Sequence, residues 1–342
     1  MSEVQAMYLK LKRLLGGYTP DFELRFKAEL AVEINRLKRA KNAVILGHNY
    51  MEPALYHSIP DFVGDSLELS RKAAKTDKDI IVFCGVRFMA ETAKILNPGK
   101  TVLLPAQKAG CSLAASITAA DVRALKARFP GAPVVTYVNT YADVKAESDI
   151  CCTSGNAVAV VNSLNVDTVI FLPDEYLAQN VARETGKRII FPTLDLNLNL
   201  GLNLMIGWHG RCEVHEKFTV DDIRRVRQQF PDVVILAHPE CSPEVTQAAD
   251  FAGSTGAMIR YVEQTNAPRY LLLTECAMGD NIAAANPDKE MLRLCTVRCP
   301  HMNEITLEDT LKALQLDRYV IEVPEEIRVR AARAVERMIA IG

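Results

Sequence analysis

The stretch AVILGHNY at residues 43–50 is followed by GDSLELSRKAAK at residues 64–75. The first segment is a short apolar run that ends in polar side chains, and the second carries apolar residues at helical spacing. An apolar run of four to eight residues followed by a 3.6-residue period is typical of a buried parallel strand and its crossover helix. This stretch therefore predicts a βαβ unit and an α/β fold.

The same alternation continues along the chain. The further pairs are DIIVFCGV with FMAETAKIL, PVVTYVNT with SGNAVAVVNSL, VVILAHPE with STGAMIRYVEQ, and RYLLLTE with AMGDNIAAA. Polar residues end three of the apolar runs, at His48, Tyr137 and His238, and these positions are separated by domain-sized intervals. The order of elements after each of them is similar, which indicates a threefold internal repeat.

Each third of the chain also has a serine at a matching offset after the polar strand end and closes on a cysteine. The serines are Ser66, Ser154 and Ser254, and the cysteines are Cys111, Cys212 and Cys299. Ligands of open parallel sheets bind beyond the carboxyl ends of the strands. Three such units around a pseudo-threefold axis would therefore bring their polar strand ends and their cysteines to one central cavity.

The repeat predicts three α/β domains. Their expected bounds are residues 1–115, 116–214 and 215–324, with a C-terminal helix at 325–342 that packs back on the first domain. Repetition alone also occurs in scaffolds without a site. The polar residues at the strand ends favour a central site over a scaffold.

The composition is that of a globular protein, with 49% hydrophobic and 24% charged residues among 342. Because 40 basic residues face 42 acidic ones, there is no positive surface for a nucleic acid. We find neither a secretory signal nor an apolar run of the ~18 residues that a membrane span needs. Nine cysteines in a long chain argue against a disulfide framework and for a reducing compartment. We expect a soluble cytoplasmic protein that acts on small molecules.

Three converging cysteines could hold a [4Fe–4S] cluster. They would leave one iron without a protein ligand, whereas an electron-transfer cluster normally takes four cysteines. An open iron can act as a Lewis acid on a substrate carboxylate or hydroxyl and assist the loss of water. The spacing lacks the CxxC pairs of zinc sites, and by itself it leaves ordinary buried cysteines as an alternative.

Eight segments, in order, closely resemble the quinolinate synthase family. They are GHNY, GDSLELSR, CGVRFMAETAKILNP, AGCSL, TYVNT, GWHGRCEVH, HPE and GST, and the resemblance extends from about Lys41 to about Asn303. It implies an enzyme that condenses iminoaspartate with dihydroxyacetone phosphate to give quinolinate, phosphate and two waters for NAD biosynthesis. It also implies three-layer α/β/α domains with short parallel sheets around a central [4Fe–4S] cluster. A functional link to an L-aspartate oxidase or dehydrogenase follows, while monomer and homodimer both stay open.

Carried over residue by residue, the resemblance assigns the cluster to Cys111, Cys212 and Cys299. The catalytic side chains it implies are His48, Tyr50, Tyr137 and Glu240. The substrate contacts, with the pocket-lining residues that we add, are His48, Ser66, Met89, Tyr137, Asn139, Ser154, His215, His238, Glu240, Ser254, Thr255 and Met258.

The implied roles agree with strand geometry. Residues two apart in a strand share a face, so His48 and Tyr50 can point into one cavity, with Tyr50 assisting proton transfer. Glu240 would be the general base for enolisation and dehydration. The serines and Thr255 would hold carboxylate or phosphate at helix N-termini, although simple N-capping is the alternative.

Some features of the chain leave alternatives open. The segment Leu194–Gly207 is a candidate lid, and His209 could lie near the cluster beside Cys212. Some family members carry a CxxCxxC run, whereas this chain reads CTVRC with Cys295 and Cys299, which puts a redox switch there in doubt. A cluster-dependent hydro-lyase of a hydroxy acid and a non-catalytic iron–sulfur sensor or electron carrier are the competing functions, with a zinc-binding module as a weaker one.

Overall fold

The computed structural model describes residues 1–192, 203–294 and 296–342. Within these ranges the chain forms three all-parallel sheets with helices packed against them, so the predicted α/β fold with three short parallel sheets is confirmed. No helix of the described ranges combines the length and the apolar character that a membrane crossing needs.

The first sheet belongs to the N-terminal third. Its strands are β1 (Ala43–His48), β2 (Phe62–Gly64), β3 (Ile80–Cys84) and β4 (Thr101–Leu103), in the order β2-β1-β3-β4. The helices of this third are α1 (Glu3–Leu15), α2 (Asp21–Ala40), α3 (Pro53–Tyr56), α4 (Ser66–Lys75), α5 (Arg87–Leu96) and α6 (Ser112–Ala115). Strand β1 is buried along its whole length, as expected for the inner strand of a covered parallel sheet.

The second sheet has one more strand. Its strands are β5 (Val134–Tyr137), β6 (Ile150–Cys152), β7 (Thr168–Leu172), β8 (Arg188–Ile190) and β9 (Leu204–Ile206), in the order β6-β5-β7-β9-β8. Its helices are α7 (Ala119–Arg128), α8 (Ala142–Ala146), α9 (Ala157–Ser163) and α10 (Glu175–Thr185).

The third sheet repeats the order of the first. Its strands are β10 (Val234–Ala237), β11 (Phe251–Ala252), β12 (Arg269–Leu273) and β13 (Glu290–Leu292), in the order β11-β10-β12-β13. The helices of this part are α11 (Val220–Gln229), α12 (Pro243–Ala248), α13 (Thr255–Gln264), α14 (Cys276–Ala285), α15 (Leu307–Leu316) and α16 (Glu325–Ile339).

The last two helices return to the beginning of the chain. Helix α15 packs against α2 and β3, and α16 packs against α5 of the first third and against α8 and β6 of the second. The predicted contact of the C-terminal helix with the first unit is present, and a larger contact joins it to the second unit. The exact division of the chain at residues 115, 214 and 324 stays a prediction.

Each sheet is anchored by an aspartate that stands directly before its second strand. One carboxylate oxygen accepts a hydrogen bond from a backbone N–H of the central strand, and the carboxylate also pairs with a basic residue of the helix before that strand. The backbone pairs are Asp61 with Ile45, Asp149 with Val134 and Asp250 with Ile235, each at 2.8 Å. The basic partners are Lys38, Lys126 and Arg227. The sequence analysis did not identify this repeat.

A second repeated device follows each of the three cysteines singled out above. The pattern is Cys-x6-Thr-x2-Asp, in which the threonine caps a helix and accepts a hydrogen bond from the backbone N–H of the aspartate. The capping residues are Thr118 at α7, Thr219 at α11 and Thr306 at α15. Each cysteine therefore precedes the first helix of the next unit. The third of these helices, α15, packs back on the first sheet.

The three central strands share one apolar core. Leu46, Val135 and Leu236 stand at equivalent positions, two residues before the polar strand ends, and all three belong to the same buried cluster. Side chains two residues apart in a strand point to the same face of the sheet. The polar residues that end the three strands therefore follow directly on this core and border the cavity.

Removal of one anchoring carboxylate should weaken the fold. We expect Asp61→Ala to lower the free energy of unfolding by about 1–3 kcal/mol, because the buried N–H of Ile45 loses its acceptor. The measurement is the urea midpoint followed by circular dichroism. The exposed Asp77 provides the control, since Asp77→Ala should change stability by less than about 0.5 kcal/mol. Equal effects of the two substitutions would contradict the anchoring role.

Candidate functional site

A cavity lies where the carboxyl ends of the three central strands meet. His48 ends β1, Tyr137 ends β5, and His238 directly follows β10. The predicted site residues that line it are His48, Tyr50, Ser66, Met89, Cys111, Tyr137, Asn139, Ser154, Cys212, His215, His238, Glu240, Thr255 and Cys299. The structure thus brings together residues from all three thirds of the chain.

Three predicted residues lie elsewhere. Met258 is fully buried in the main apolar core, and the hydroxyl of Ser254 is turned to other partners. His209 is largely exposed, where its ring stacks on Phe191 and its Nδ1 lies 3.2 Å from Glu175. The placement of His209 beside the cluster ligands was therefore wrong, because its neighbours in sequence turn it away from the cavity.

The three cysteines have equivalent surroundings. The backbone N–H groups two and three residues further on, where the chain begins a short helical turn, act to lower the pKa of each thiol. The donors are Leu113 and Ala114 for Cys111, Val214 and His215 for Cys212, and His301 and Met302 for Cys299. Such paired N–H groups stabilise a thiolate or a sulphur bound to a metal.

Burial opposes that effect in the metal-free chain. It raises the pKa of Cys111 to about 12 and that of Cys299 to about 11, and it raises the pKa of Cys212 well above its ordinary value. The cysteines are thus thiols at neutral pH unless a cation is bound. A coordinating metal deprotonates a thiol outright.

The spread of the sulphurs indicates the size of group that would fit. Among the described His, Cys, Asp and Glu side chains, the one trio with donor atoms within 4.8 Å of one another is Cys212, His215 and Glu240. The three cysteine sulphurs are therefore wider apart than the roughly 3.8 Å between sulphur ligands of a tetrahedral zinc. This donor set fits a cluster better than a single ion.

Glu240 contacts three polar side chains of the cavity. Its Oε1 accepts from the Tyr137 hydroxyl at 2.5 Å and from Asn139 Nδ2 at 3.3 Å, and its Oε2 lies 2.7 Å from His215 Nδ1. Burial by itself raises the pKa of this carboxyl, but His215 beside it and the donated hydrogen bonds hold it well below its ordinary value. Glu240 is therefore a carboxylate at neutral pH despite its burial.

His48 and His238 are neutral and have the same tautomer. Burial lowers the pKa of His48 to about 4 and, together with the neighbouring His215, that of His238 to about 3. In each ring Nδ1 accepts the backbone N–H two residues further on, from Tyr50 at 3.2 Å and from Glu240 at 3.3 Å. The ring proton is then on Nε2. The Nε2 of His238 donates to Ser154 Oγ at 3.2 Å.

Tyr50 and Tyr137 are proton donors in this cavity. Burial raises the pKa of both hydroxyls well above the ordinary value, and the nearby carboxylate of Glu240 raises it further. The Tyr50 hydroxyl lies 2.5 Å from Thr274 Oγ1 and 3.4 Å from His215 Nε2. Both tyrosines therefore keep their protons at neutral pH and can donate them to a bound anion.

The expected anion sites at helix starts need correction. Ser254 caps α13, where it accepts from Ala257 N and donates to Asp65 Oδ2 at 3.1 Å, so its hydroxyl has no hydrogen left for a ligand. Thr255 accepts from Asn49 Nδ2 at 3.0 Å and keeps its own hydrogen. Thr255, which lines the cavity, is the better donor of the two.

The other two serines also differ from the expectation. Ser66 is the first residue of α4, but the cap is Asp65, whose carboxylate accepts from the free N–H groups of Leu67 and Glu68. Ser154 lies ahead of α9, which begins at residue 157. Side-chain hydroxyls, rather than free helix N–H groups, therefore face the cavity here.

Lys145 is a supporting residue that the sequence analysis missed. It is fully buried, and its Nζ donates to the carbonyls of Val138, at 2.8 Å, and Thr140. These carbonyls flank Asn139, so the ammonium group holds the turn that carries Asn139 and Tyr137 to Glu240. A single lysine in the short segment Ala142–Ala146 gave no sign of burial.

Two of the predicted features fall on parts of the chain that are not described. Residues 194–202 of the candidate lid lie outside the described residues, and Cys295 does as well. The described end of the lid segment includes Leu204–Ile206, which forms β9 inside the second sheet. That end is a structural strand.

Loss of the Lys145 ammonium should weaken the cavity wall. We expect Lys145→Met to lower the free energy of unfolding by about 1–3 kcal/mol, because the two buried carbonyls lose their donor. Urea unfolding measures this loss. Lys312→Met is the matched control, because Lys312 is an exposed residue of helix α15. A Lys145→Met protein as stable as the control would show that these carbonyls need no cation.

Comparison with known proteins adds a family to this geometry. The family model described as Quinolinate synthetase A protein (NadA) matches residues 32–340. Quinolinate synthase 2 of Mesorhizobium japonicum is 56% identical over 305 residues, which are 89% of each chain. Quinolinate synthase of Agrobacterium fabrum is 54% identical over 308 residues, or 90% of this chain and 84% of the relative. That of Xylella fastidiosa is 54% identical over 318 residues, or 93% and 89%. The matched region includes the whole cavity, and the chain belongs to the quinolinate synthetase A protein family.

Proposed function

We propose that this enzyme is a quinolinate synthase that condenses iminoaspartate with dihydroxyacetone phosphate and releases phosphate and two waters. The observation that carries the proposal is the geometry around Glu240, whose buried carboxylate accepts from Tyr137 and Asn139 and lies 2.7 Å from His215 in a cavity that three cysteines line. The condensation needs a base at carbon and acids at oxygen in one enclosed site. The cavity supplies both.

The cofactor that we propose is a [4Fe–4S] cluster on Cys111, Cys212 and Cys299. Two backbone N–H groups favour the thiolate form of each of these cysteines, and the spread of the sulphurs suits a group larger than one ion. When bound, such a cluster with one iron free of protein ligands supplies a Lewis acid for the loss of water.

Substrate binding falls to neutral donors. The Nε2–H groups of His48 and His238 and the hydroxyl of Thr255 can donate to carboxylate or phosphate oxygens. Because both rings have pKa values of about 4 or below, they bind anions as hydrogen-bond donors and not as cations. Asn139 orients the substrate beside Glu240.

Proton transfer falls to Glu240 and the two tyrosines. Glu240, as a carboxylate, removes a proton from the carbon next to the imine or carbonyl group. Tyr137 donates a short hydrogen bond to Glu240 and can stabilise its charge before the transfer. Tyr50, on the opposite side of His215, is placed to donate a proton to a departing oxygen.

The other candidate functions have less support. An iron–sulfur carrier needs a fourth protein ligand, and none of the cysteines other than the three proposed ligands lines the cavity within the described part of the chain. Nothing in the cavity favours a hydro-lyase over the condensation. A cytoplasmic place in NAD biosynthesis goes with the proposal, and so does an enzyme that oxidises L-aspartate, since iminoaspartate is the two-electron oxidation product of aspartate.

An anaerobic assay tests the function. Iron-reconstituted protein is supplied with dihydroxyacetone phosphate and freshly generated iminoaspartate, and quinolinate is followed by chromatography while iron and sulfide are counted per chain. We expect quinolinate together with about four irons and four sulfides per chain. In the same assay Cys111→Ser and Cys212→Ser should lose both the cluster absorbance and turnover. Cys84→Ser, at a buried thiol outside the cavity, should retain both. A cluster without product would overturn the proposed reaction, and equal loss in all variants would overturn the ligand assignment.

The role of the base has its own test. Glu240→Gln keeps the size of the side chain and removes its charge, so we expect an intact cluster and a fall in kcat of at least about 100-fold. Absorbance and single-turnover assays measure the two effects. The exposed Glu244 provides the matched control, and Glu244→Gln should leave kcat unchanged. Full turnover of Glu240→Gln would remove this residue from catalysis.

A further inference from the structure

Cys212, His215 and Glu240 form a compact ligand set within the larger cavity. Their donor atoms lie within 4.8 Å of one another, and both His215 and Glu240 are buried. His215 Nδ1 stands at the centre, 3.2 Å from Cys212 Sγ and 2.7 Å from Glu240 Oε2. The sulphurs of Cys111 and Cys299 are outside this set, although all three cysteines line the cavity.

We propose that the chain without its cluster binds a single zinc ion on Cys212, His215 and Glu240. A thiolate, an imidazole and a carboxylate with a fourth position open to water are the donor types and the number that zinc takes in catalytic-type sites. Imidazole and thiolate together favour zinc over magnesium or calcium. The site goes beyond the proposed reaction, because it belongs to a state of the protein that cannot carry that reaction out.

The imidazole is already oriented for such an ion. Its far nitrogen, Nε2, lies 2.9 Å from Thr274 Oγ1, and Thr274 is itself fixed by the Tyr50 hydroxyl at 2.5 Å. A hydrogen bond at the far nitrogen sets the ring angle and the tautomer of a histidine ligand. With zinc on Nδ1, the ring proton is on Nε2 and is donated to Thr274.

The distances require a modest rearrangement. Zinc bonds of about 2.0–2.1 Å to nitrogen and oxygen and about 2.3 Å to sulphur place tetrahedral ligands about 3.3–3.6 Å apart. The two observed separations, 2.7 Å and 3.2 Å, are shorter by less than an ångström. The ion takes the place of the proton between His215 Nδ1 and Glu240 Oε2, and the imidazole then carries its proton on Nε2, next to Thr274. The Cys212 thiol releases its proton to water when it binds.

Zinc and the cluster would compete for one sulphur. Cys212 belongs to both ligand sets, so an occupied zinc site prevents cluster assembly until the ion is removed. Cys111 and Cys299 belong to the cluster alone. This difference separates the two sites experimentally, since substitution of Cys111 abolishes the cluster and leaves the zinc ligands in place.

Cobalt binding tests the proposal on full-length protein freed of iron. Co²⁺ is titrated anaerobically as a spectroscopic substitute for zinc, and Zn²⁺ is then used to displace it. We expect one tetrahedral cobalt per chain with a sulphur-to-cobalt charge-transfer band, unchanged in Cys111→Ser. The band should be absent in Cys212→Ser, and the affinity should fall at least about 100-fold in His215→Gln and Glu240→Gln. Thr274→Val should weaken binding by about 10–100-fold through the ring orientation.

Each outcome decides the matter. Three results would overturn the proposal. Loss of cobalt binding in Cys111→Ser, equal to that in Cys212→Ser, would show that the three cysteines bind the ion. Unchanged binding in both His215→Gln and Glu240→Gln would exclude these two ligands, and the absence of tetrahedral cobalt would exclude the site. Thermal melts verify that each variant is folded, and if Cys212→Ser is not, the His215 and Glu240 variants decide alone. Because no turnover is measured, failure here is separate from failure of the proposed reaction.

Discussion

The hydrogen bonds around the Glu240 carboxylate are the interaction on which the rest of the site depends. A buried carboxylate without donors would take up a proton, and the cavity would then contain no base. Tyr137 and Asn139 reach it from the end of β5, and His215 reaches it from the turn after Cys212. The second and third units must therefore meet at a fixed distance for Glu240 to stay ionised, which makes the arrangement of the sheets a chemical requirement.

The sequence predicted the parts of this arrangement that follow from local pattern. Apolar runs with polar ends located β1 and the central strands of the other sheets, because parallel strands that are buried on both faces consist almost entirely of apolar residues. Long ordered motifs such as GWHGRCEVH carried the family. The pattern Cys-x6-Thr-x2-Asp was also present and is a second local signature of Cys111, Cys212 and Cys299, which the repeat had already located.

Contacts between distant residues could not be predicted in the same way. Ser254 looked like an anion ligand, but Asp65, far away in the chain, takes its hydroxyl hydrogen. Lys145 was not singled out from the sequence, and tertiary packing buries it against the carbonyls of Val138 and Thr140. In both cases the partner of a polar side chain is set by the meeting of units and not by its neighbours in sequence.

Within the pseudo-threefold repeat, the residues that stabilise the fold are distinct from the residues that take part in the reaction. The aspartate anchors and the threonine caps are the same in all three units, because they hold backbone and are indifferent to the reaction. The strand ends differ: His48 and His238 are neutral donors with matching tautomers, while Tyr137 stands at the equivalent position of the second unit and donates to Glu240. A histidine in place of Tyr137 would also be neutral, because the same burial would lower its pKa, and its Nδ1 would accept a backbone N–H. Its remaining N–H, on Nε2, would lie further from the Glu240 carboxylate than the Tyr137 hydroxyl does. A tyrosine extends further from the strand, and its high pKa keeps the proton that Glu240 needs.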